Sequence, residues 1–195
     1  MAPASDDQTA PRRSKSDVVD AAMRVLAENG IAGLSMRRIA DELDVQVSAL
    51  YWHFPNKQAL LAAVSARIVE DESDADDLAG TAAALRDRLL AHRDGAEVVS
   101  SSLALGLLAL PARERLIAQA RTAGLDEAAA RVAANTLVHY VIGFTFHEQQ
   151  RVHAAVVGAA DPSVDLSVAH VDTPADDFAA GLAIVVSGIR SAAVA

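Results

Sequence analysis

The stretch that decides the fold is residues 35–57, SMRRIADELDVQVSALYWHFPNK. Ser35 is a suitable N-cap for a short helix whose apolar residues recur at the spacing of one helix face. A second short helix is predicted from about Val47 to the residues before Pro55, because proline cannot continue a helix. Only a tight turn at Asp44 separates the two. The pattern predicts a helix-turn-helix, whose second helix is narrow enough to enter the major groove of DNA.

The flanking residues extend this pattern on both sides. Residues 29–35 read NGIAGLS, residues 38–40 read RIA, and residues 50–57 read LYWHFPNK before Leu60 and Leu61. In this order and spacing the segments resemble the TetR family of bacterial transcriptional repressors. The resemblance implies that Asp44 replaces the usual turn glycine, a position with a left-handed backbone that Asp tolerates.

Three further segments are similar to the tetracycline repressors within that family. They are residues 90–96 (LAHRDGA), residues 139–144 (HYVIGF) followed by Glu148 and Gln149, and residues 181–188 (GLAIVVSG). The resemblance implies an all-α fold and a homodimer in which two long C-terminal helices pack against their copies. It also implies a palindromic double-stranded DNA operator and release by a small-molecule inducer.

The composition agrees with an all-α protein of two small domains. Hydrophobic residues make up 52% of the 195 residues and are mostly Ala, Val and Leu, whereas aromatic residues are 4%. No apolar run is long enough to span a membrane, the start does not look like a signal peptide, and there is no cysteine. We expect a cytoplasmic protein.

The net charge of −9 is unevenly distributed. Residues 61–195 carry a net charge of −8, whereas residues 11–60 carry +1. DNA affinity must therefore come from the placement of a few cations rather than from bulk charge. We expect a disordered arm over residues 1–13, a DNA-binding domain over residues 14–60, and a ligand-binding and dimerisation domain over residues 61–195.

The predicted helices follow the helical spacing of apolar residues. Ser14 or Ser16 opens the first helix, and Asn29-Gly30 ends it. Later helices are expected over about 81–92, 111–123, 125–152 and 174–189, with 100–110 unassigned and 154–173 as a loop. The acidic residues 70–77 end the helix that starts at Asn56, and we interpret them as a solvated charge run rather than a metal site.

The candidate DNA contacts divide into base-reading and phosphate-binding residues. Gln46, Val47, Ser48 and Ala49 open the second helix, where side chains reach base edges. Arg37 is expected to pair with guanine or with phosphate. Phosphate contacts are expected from a further set: Arg38, Tyr51, Trp52, His53 and Lys57. For Trp52 the alternative is packing within the domain.

The resemblance also places a ligand pocket in the C-terminal domain. Its expected lining is Thr81, Leu85, Val99, Leu116, Tyr140, Phe144 and His147, which favours a mostly hydrophobic inducer. Val99 stands where the tetracycline repressors have the histidine that binds the inducer's magnesium. Because valine cannot ligate a hard cation, no metal or cofactor is expected.

The C-terminal helices carry a polar stripe with two interpretations and a predicted apolar seam. His139, Gly143, His147 and Gln150 share one helix face, which lines either the pocket or a polar seam between subunits. The apolar seam of the dimer is predicted from a larger set: Leu137, Val141, Phe144, Leu182, Val185 and Ile189.

No motif of an enzyme is present. The chain lacks a cysteine nucleophile, a Gly-x-Ser-x-Gly turn, a phosphate-binding glycine loop and a His-Glu-x-x-His helix. The alternative function is a helical carrier or enzyme whose N-terminal helices only look like a DNA-reading unit. An architectural DNA binder is disfavoured, since DNA bending alone needs no large apolar second domain.

Overall fold

The computed structural model describes residues 13–70, 75–156 and 174–193. Within them the secondary structure is entirely helical, which confirms the all-α prediction. The helices are α1 Lys15–Gly33, α2 Met36–Leu43, α3 Val47–Tyr51, α4 Lys57–Ile68, α5 Leu78–Leu90, α6 Gly95–Ala104, α7 Pro111–Thr122, α8 Glu127–Val156 and α9 Pro174–Ala192. None of the helices in these ranges is long and apolar enough to cross a membrane.

The chain divides into two compact units, Met1–Leu60 and Leu61–Ala195. Helix α4 crosses the boundary between them. The expected arm, residues 1–13, lies outside the described residues except for Arg13, whose guanidinium donates to the carbonyl oxygen of Leu43 at 3.3 Å.

The N-terminal unit follows its local sequence signals closely. Ser14 caps α1 through a reciprocal pair with Asp17, in which each side chain accepts a hydrogen bond from the other residue's backbone N–H. Hydrogen bonding to Ser14 lowers the pKa of the Asp17 carboxyl. At Gly30 φ is 67°, which interrupts the helical backbone where Asn29-Gly30 predicted a stop.

The turn between α2 and α3 also has the predicted backbone. Ser35 caps α2, and Asp44 ends it in the left-handed region at φ 53° and ψ 49°. Asn56 caps α4 by accepting from the N–H of Ala59 at 2.8 Å. Both capping predictions and the left-handed Asp44 are therefore confirmed.

The C-terminal unit corrects several predicted boundaries. Helix α5 starts at Leu78 rather than near 81, because Asp77 accepts a hydrogen bond from the N–H of Gly80 and caps it. Residues 100–104, left unassigned, continue α6. Helix α8 continues to Val156, so residues 154–156 are not loop. The remaining part of the predicted loop, residues 157–173, lies outside the described residues.

The apolar seam predicted for the dimer is wrong for most of its members. Leu137 and Val141 are 0% exposed, and Leu182 and Ile189 are also buried, all within a single copy of the chain. They form the core between α8, α9 and their neighbours, so a partner cannot reach them. Phe144 and Val185 are half-buried. The large apolar side chains that α8 and α9 leave exposed are instead Val132, Val152 and Ile184.

Candidate DNA-reading surface and ligand core

Helix α3 is held by its inward residues and presents the others to solvent. Leu50 is buried at 1% exposure, and Phe54, directly after the helix, is equally buried beneath the ammonium of Lys15, which lies 5.1 Å from its ring centroid. With these two anchors fixed, Gln46 and Ser48 at the start of the helix are exposed. Val47 and Ala49 alternate with them along the chain and are half-buried.

The end of α3 exposes two large aromatic side chains. Tyr51 is 50% exposed and Trp52 is 90% exposed. Packing within this unit therefore does not account for Trp52, and its contact with phosphate stays a prediction. His53 and Lys57 are half-buried beside them.

The two arginines of α2 are both exposed but differ in their partners. Arg38 donates from Nη1 to the side-chain oxygen of Asn29 at 2.8 Å, which fixes its position on the surface. Within the same unit Arg24 is paired with Glu42 at 2.8 Å. Arg37 is exposed on the surface of α2.

Four of the predicted ligand contacts are closed inside the C-terminal unit. Thr81, Leu85, Val99 and Leu116 are at most 3% exposed and lie on α5, α6 and α7. The Thr81 hydroxyl accepts a hydrogen bond from Nε2 of Gln119 at 2.9 Å. A ligand can contact this set only if the helices that carry it move apart.

Tyr140 and Phe144 hold α9 against α8. The ring centroids of both residues lie 5.4 Å from that of Phe178, and they lie 5.9 Å from each other. The Tyr140 hydroxyl donates to the carbonyl oxygen of Phe178 at 2.8 Å and passes so close to Gly181 that a Cβ atom there would collide with it. Burial raises the pKa of the Tyr140 phenol, which keeps this donor protonated.

A half-buried ion pair lies beside these rings. Arg86 of α5 donates from one nitrogen, Nη2, to both carboxylate oxygens of Glu148 on α8, at 3.0 and 2.9 Å. Its guanidinium carbon also lies 4.7 Å from the Phe178 ring centroid. Neither Arg86 nor Glu148 is among the predicted site residues. The one sequence signal is that Glu148 lies in a segment similar to the tetracycline repressors.

His147, the last predicted ligand contact, points away from the core. It is exposed, as is His139 two turns earlier, and the half-buried Gly143 lies between them. Within the described residues, no group of three or more His, Asp or Glu side chains could hold a metal ion.

Comparison with known sequence families identifies the chain. The profile of bacterial regulatory proteins of the tetR family matches residues 18–64, and that of the tetracyclin repressor-like C-terminal domain matches residues 69–175. The chain belongs to the TetR family. The resemblance predicted from its helix-turn-helix and C-terminal segments is therefore confirmed, and its family is one of regulators rather than enzymes.

Individual TetR family members are similar over most of the chain. The tetracycline repressor protein class A from transposon 1721 of Escherichia coli is 33% identical over 88% of each sequence. The crystal structure of BioQ from Mycobacterium smegmatis has a TM-score of 0.80 and 42% identity, covering 92% of this chain and 98% of BioQ. A structure of BioQ with its double-stranded DNA operator has a TM-score of 0.75 and 41% identity, covering 91% and 98%.

Proposed function

We propose that the protein is a homodimeric transcriptional repressor that binds a palindromic operator and is released by a small, mostly hydrophobic inducer. Residues 14–60 form the DNA-binding domain, and residues 61–195 form the ligand-binding and dimerisation domain. The observation that carries the proposal is the surface of α3, where Trp52 is 90% exposed beside Tyr51 and two polar residues. The operator complex of BioQ, a relative of similar fold, supports the same function.

The base-reading residues are Arg37 and the start of α3, residues 46–49. Gln46 and Ser48 are exposed there, and a Gln side chain can form two hydrogen bonds to adenine. Tyr51, Trp52, His53 and Lys57 contact phosphates at the other end of α3, and Arg38 joins them from α2. This division predicts that the first group sets sequence preference and the second sets overall affinity.

DNase footprinting on the intergenic DNA beside the gene tests the function. A protected inverted repeat is the expected result, because two reading units related by a two-fold axis read two half-sites. Tyr51→Ala and Lys57→Ala should weaken binding to all sequences alike, whereas Arg37→Ala should cost about 1–3 kcal/mol and relax the base preference. Arg121→Ala, which removes an exposed cation of the C-terminal unit, is the control. A salt-insensitive protein without any protected repeat would instead be a carrier or an enzyme.

The dimer forms through the exposed faces of α8 and α9. Ile184 is 74% exposed and Val132 is 65% exposed, and small residues surround Ile184 on α9. Small side chains allow two helices to approach closely, and an isolated copy gains nothing from exposing Ile184. The exposure of His139 and His147 on α8 supports the polar-seam interpretation of that stripe over the pocket interpretation.

The inducer pocket is lined by Thr81, Leu85, Val99, Leu116, Tyr140 and Phe144, whereas the exposed His147 belongs to the polar seam. Because the first four are buried in the described state, an inducer has to favour a conformation in which α5, α6 and α7 are further apart. A ligand shifts the DNA-binding equilibrium only by its difference in affinity for the two conformations. The requirement to open a closed apolar core therefore supports both the hydrophobic character of the inducer and its coupling to DNA release.

A gel-shift titration with tetracycline, with and without magnesium, tests the inducer class beside a panel of apolar drugs. Since Val99 offers no ligand atom to magnesium, any release should be independent of the metal. Val99→His is the informative variant, because it restores an imidazole at this position. Magnesium-dependent release of the unaltered protein by tetracycline would contradict the hydrophobic-inducer proposal while leaving operator binding intact.

A further inference from the structure

A cavity of about 420 Å³ lies in the C-terminal unit, between the α5–α6 turn and the last third of α8. Its volume is within the range of small-molecule sites. None of the seven residues predicted to contact the inducer belongs to it. Its lining is Leu90, His92, Arg93, Asp94, Glu148, Gln149, Val152 and His153.

The two walls of this cavity are fixed to each other by Gln149. Its Nε2 donates to the carbonyl oxygens of Leu89 and His92 at 3.0 and 2.8 Å, and its Oε1 accepts from the N–H of Ala96 at 3.1 Å. One side chain of α8 thus satisfies three backbone groups of the α5–α6 turn. The cavity is therefore preformed, which reduces the ordering cost of binding a ligand.

The Glu148 carboxylate gives the cavity a hydrogen-bond acceptor without a net charge. Arg86 contacts both of its oxygens from a single nitrogen, and a carboxylate can accept about four hydrogen bonds. Its remaining lone pairs are available to a donor, while Arg86 already neutralises its charge. Arg93 and Asp94 add one charge of each sign to the lining. Neither a cation nor an anion is therefore favoured overall.

His92 adds a polar group that is neutral at physiological pH. Burial and the nearby cation of Arg88 lower the pKa of its imidazole. A neutral imidazole offers one donor and one acceptor. The apolar contribution comes from Leu90 on α5 and Val152 on α8, one from each wall.

We propose that this cavity is a second small-molecule site, separate from the inducer pocket, that binds an uncharged heteroaromatic compound carrying a ring N–H. The N–H donates to Glu148, the ring contacts Leu90 and Val152, and a ring nitrogen pairs with His92. A charged ligand would give up hydration without meeting a net opposite charge, since Arg86 neutralises Glu148 and since Arg93 and Asp94 carry opposite signs.

The test uses the full-length protein without DNA, so that its outcome is independent of operator binding. Three probes of similar size differ in charge: benzimidazole is neutral, benzoate is anionic and benzamidine is cationic. Histidine ring NMR signals and calorimetry report the binding of each. Benzimidazole should shift the signals of His92 and His153 and bind at least about tenfold more tightly than the other two probes.

Variants locate the binding. Val152→Trp should fill the cavity and abolish benzimidazole binding, and it is tolerated because Val152 is 62% exposed. Leu105→Trp, at a residue 59% exposed in the α6–α7 loop, is the matched control and should bind normally. His92→Phe keeps a ring but removes its nitrogens, so it should weaken binding about tenfold. Absence of binding, equal binding of all three probes, or full binding by Val152→Trp would overturn the proposal.

Discussion

At the scale of single residues, Asp44 occupies a left-handed backbone position that few residue types tolerate. Its left-handed backbone places the start of α3 immediately after the end of α2. A β-branched residue pays about 1–2 kcal/mol in this region, whereas Asp and Gly tolerate it. Asp44→Val should therefore lower the free energy of unfolding of the N-terminal unit by about that amount, and Asp44→Gly should not. Urea unfolding followed by circular dichroism measures both, and an unchanged midpoint for the Val variant would contradict the prediction.

His92 makes the stability of the C-terminal unit dependent on pH. Its pKa is lowered from 6.5, first by burial and then by Arg88. As the pH falls, the unfolded chain therefore binds a proton before the folded chain does. The contribution of neutral His92 to the free energy of unfolding is complete above about pH 6.5. It is lost as the pH falls from there to the lower pKa of the folded state. Thermal unfolding between pH 7.5 and 5 should show this loss.

Two substitutions separate His92 from the other titrating groups. His92→Gln should reduce the pH dependence of the melting temperature, and His153→Gln, at an exposed residue of α8, should leave it unchanged. An equal effect of both substitutions would assign the dependence to surface charge instead.

Residues whose role is set by local backbone chemistry were predictable. Ser14, Ser35, Asp44 and Asn56 act on groups within four positions along the chain, so the sequence contains both partners of each interaction. Arg86 and Glu148 are 62 positions apart, and only the packing of α5 against α8 brings them within 3.0 Å. A single sequence holds no signal for such a pair.

At the scale of elements, the α5–α6 turn depends on one side chain. Gln149 forms three hydrogen bonds with backbone groups of this turn, and it supplies the acceptor for the buried N–H of Ala96. The carbonyl oxygens of Leu89 and His92 also accept from the N–H groups of His92 and Gly95. Gln149→Ala should lower the free energy of unfolding by about 1–3 kcal/mol, since it leaves one buried donor unsatisfied. The matched control is Gln150→Ala, which removes a 3.4 Å hydrogen bond from the Gln150 amide to the Glu97 carboxylate. If chemical denaturation gave the same loss of free energy of unfolding for both variants, the α5–α6 turn would not depend on Gln149.

Helix faces were harder to predict than helix positions. The starts of α2, α3 and α7 follow from Ser35, Val47 and Pro111, but α8 and α9 carry apolar residues on more than one side. Periodicity then cannot distinguish the side that faces the core from the side that faces a partner. For this reason Leu137 and Leu182 were assigned to the subunit interface although the fold buries them internally.

At the scale of the whole molecule, the corrected interface makes a direct prediction. Ile184→Asp should convert the proposed dimer into a monomer, because it places a charge at the centre of an apolar contact without disturbing the core of one copy. Leu105→Asp, at another exposed aliphatic residue, should leave the dimer intact. Sedimentation velocity distinguishes the two states. A dimeric Ile184→Asp variant would show that the subunits meet elsewhere.

The monomer should also lose operator affinity, because each half-site alone offers only half of the contacts. Gel shifts with one half-site and with the full repeat should therefore give similar, weak binding for Ile184→Asp. The unaltered protein should prefer the full repeat strongly.

The exposure of Trp52 has a consequence for spectroscopy. It is the only tryptophan of the chain, and in the folded state its indole is already surrounded by water. Its emission maximum should thus change little when the protein unfolds. The emission of the same indole should change strongly when DNA displaces that water. Intrinsic fluorescence should therefore report operator binding rather than unfolding.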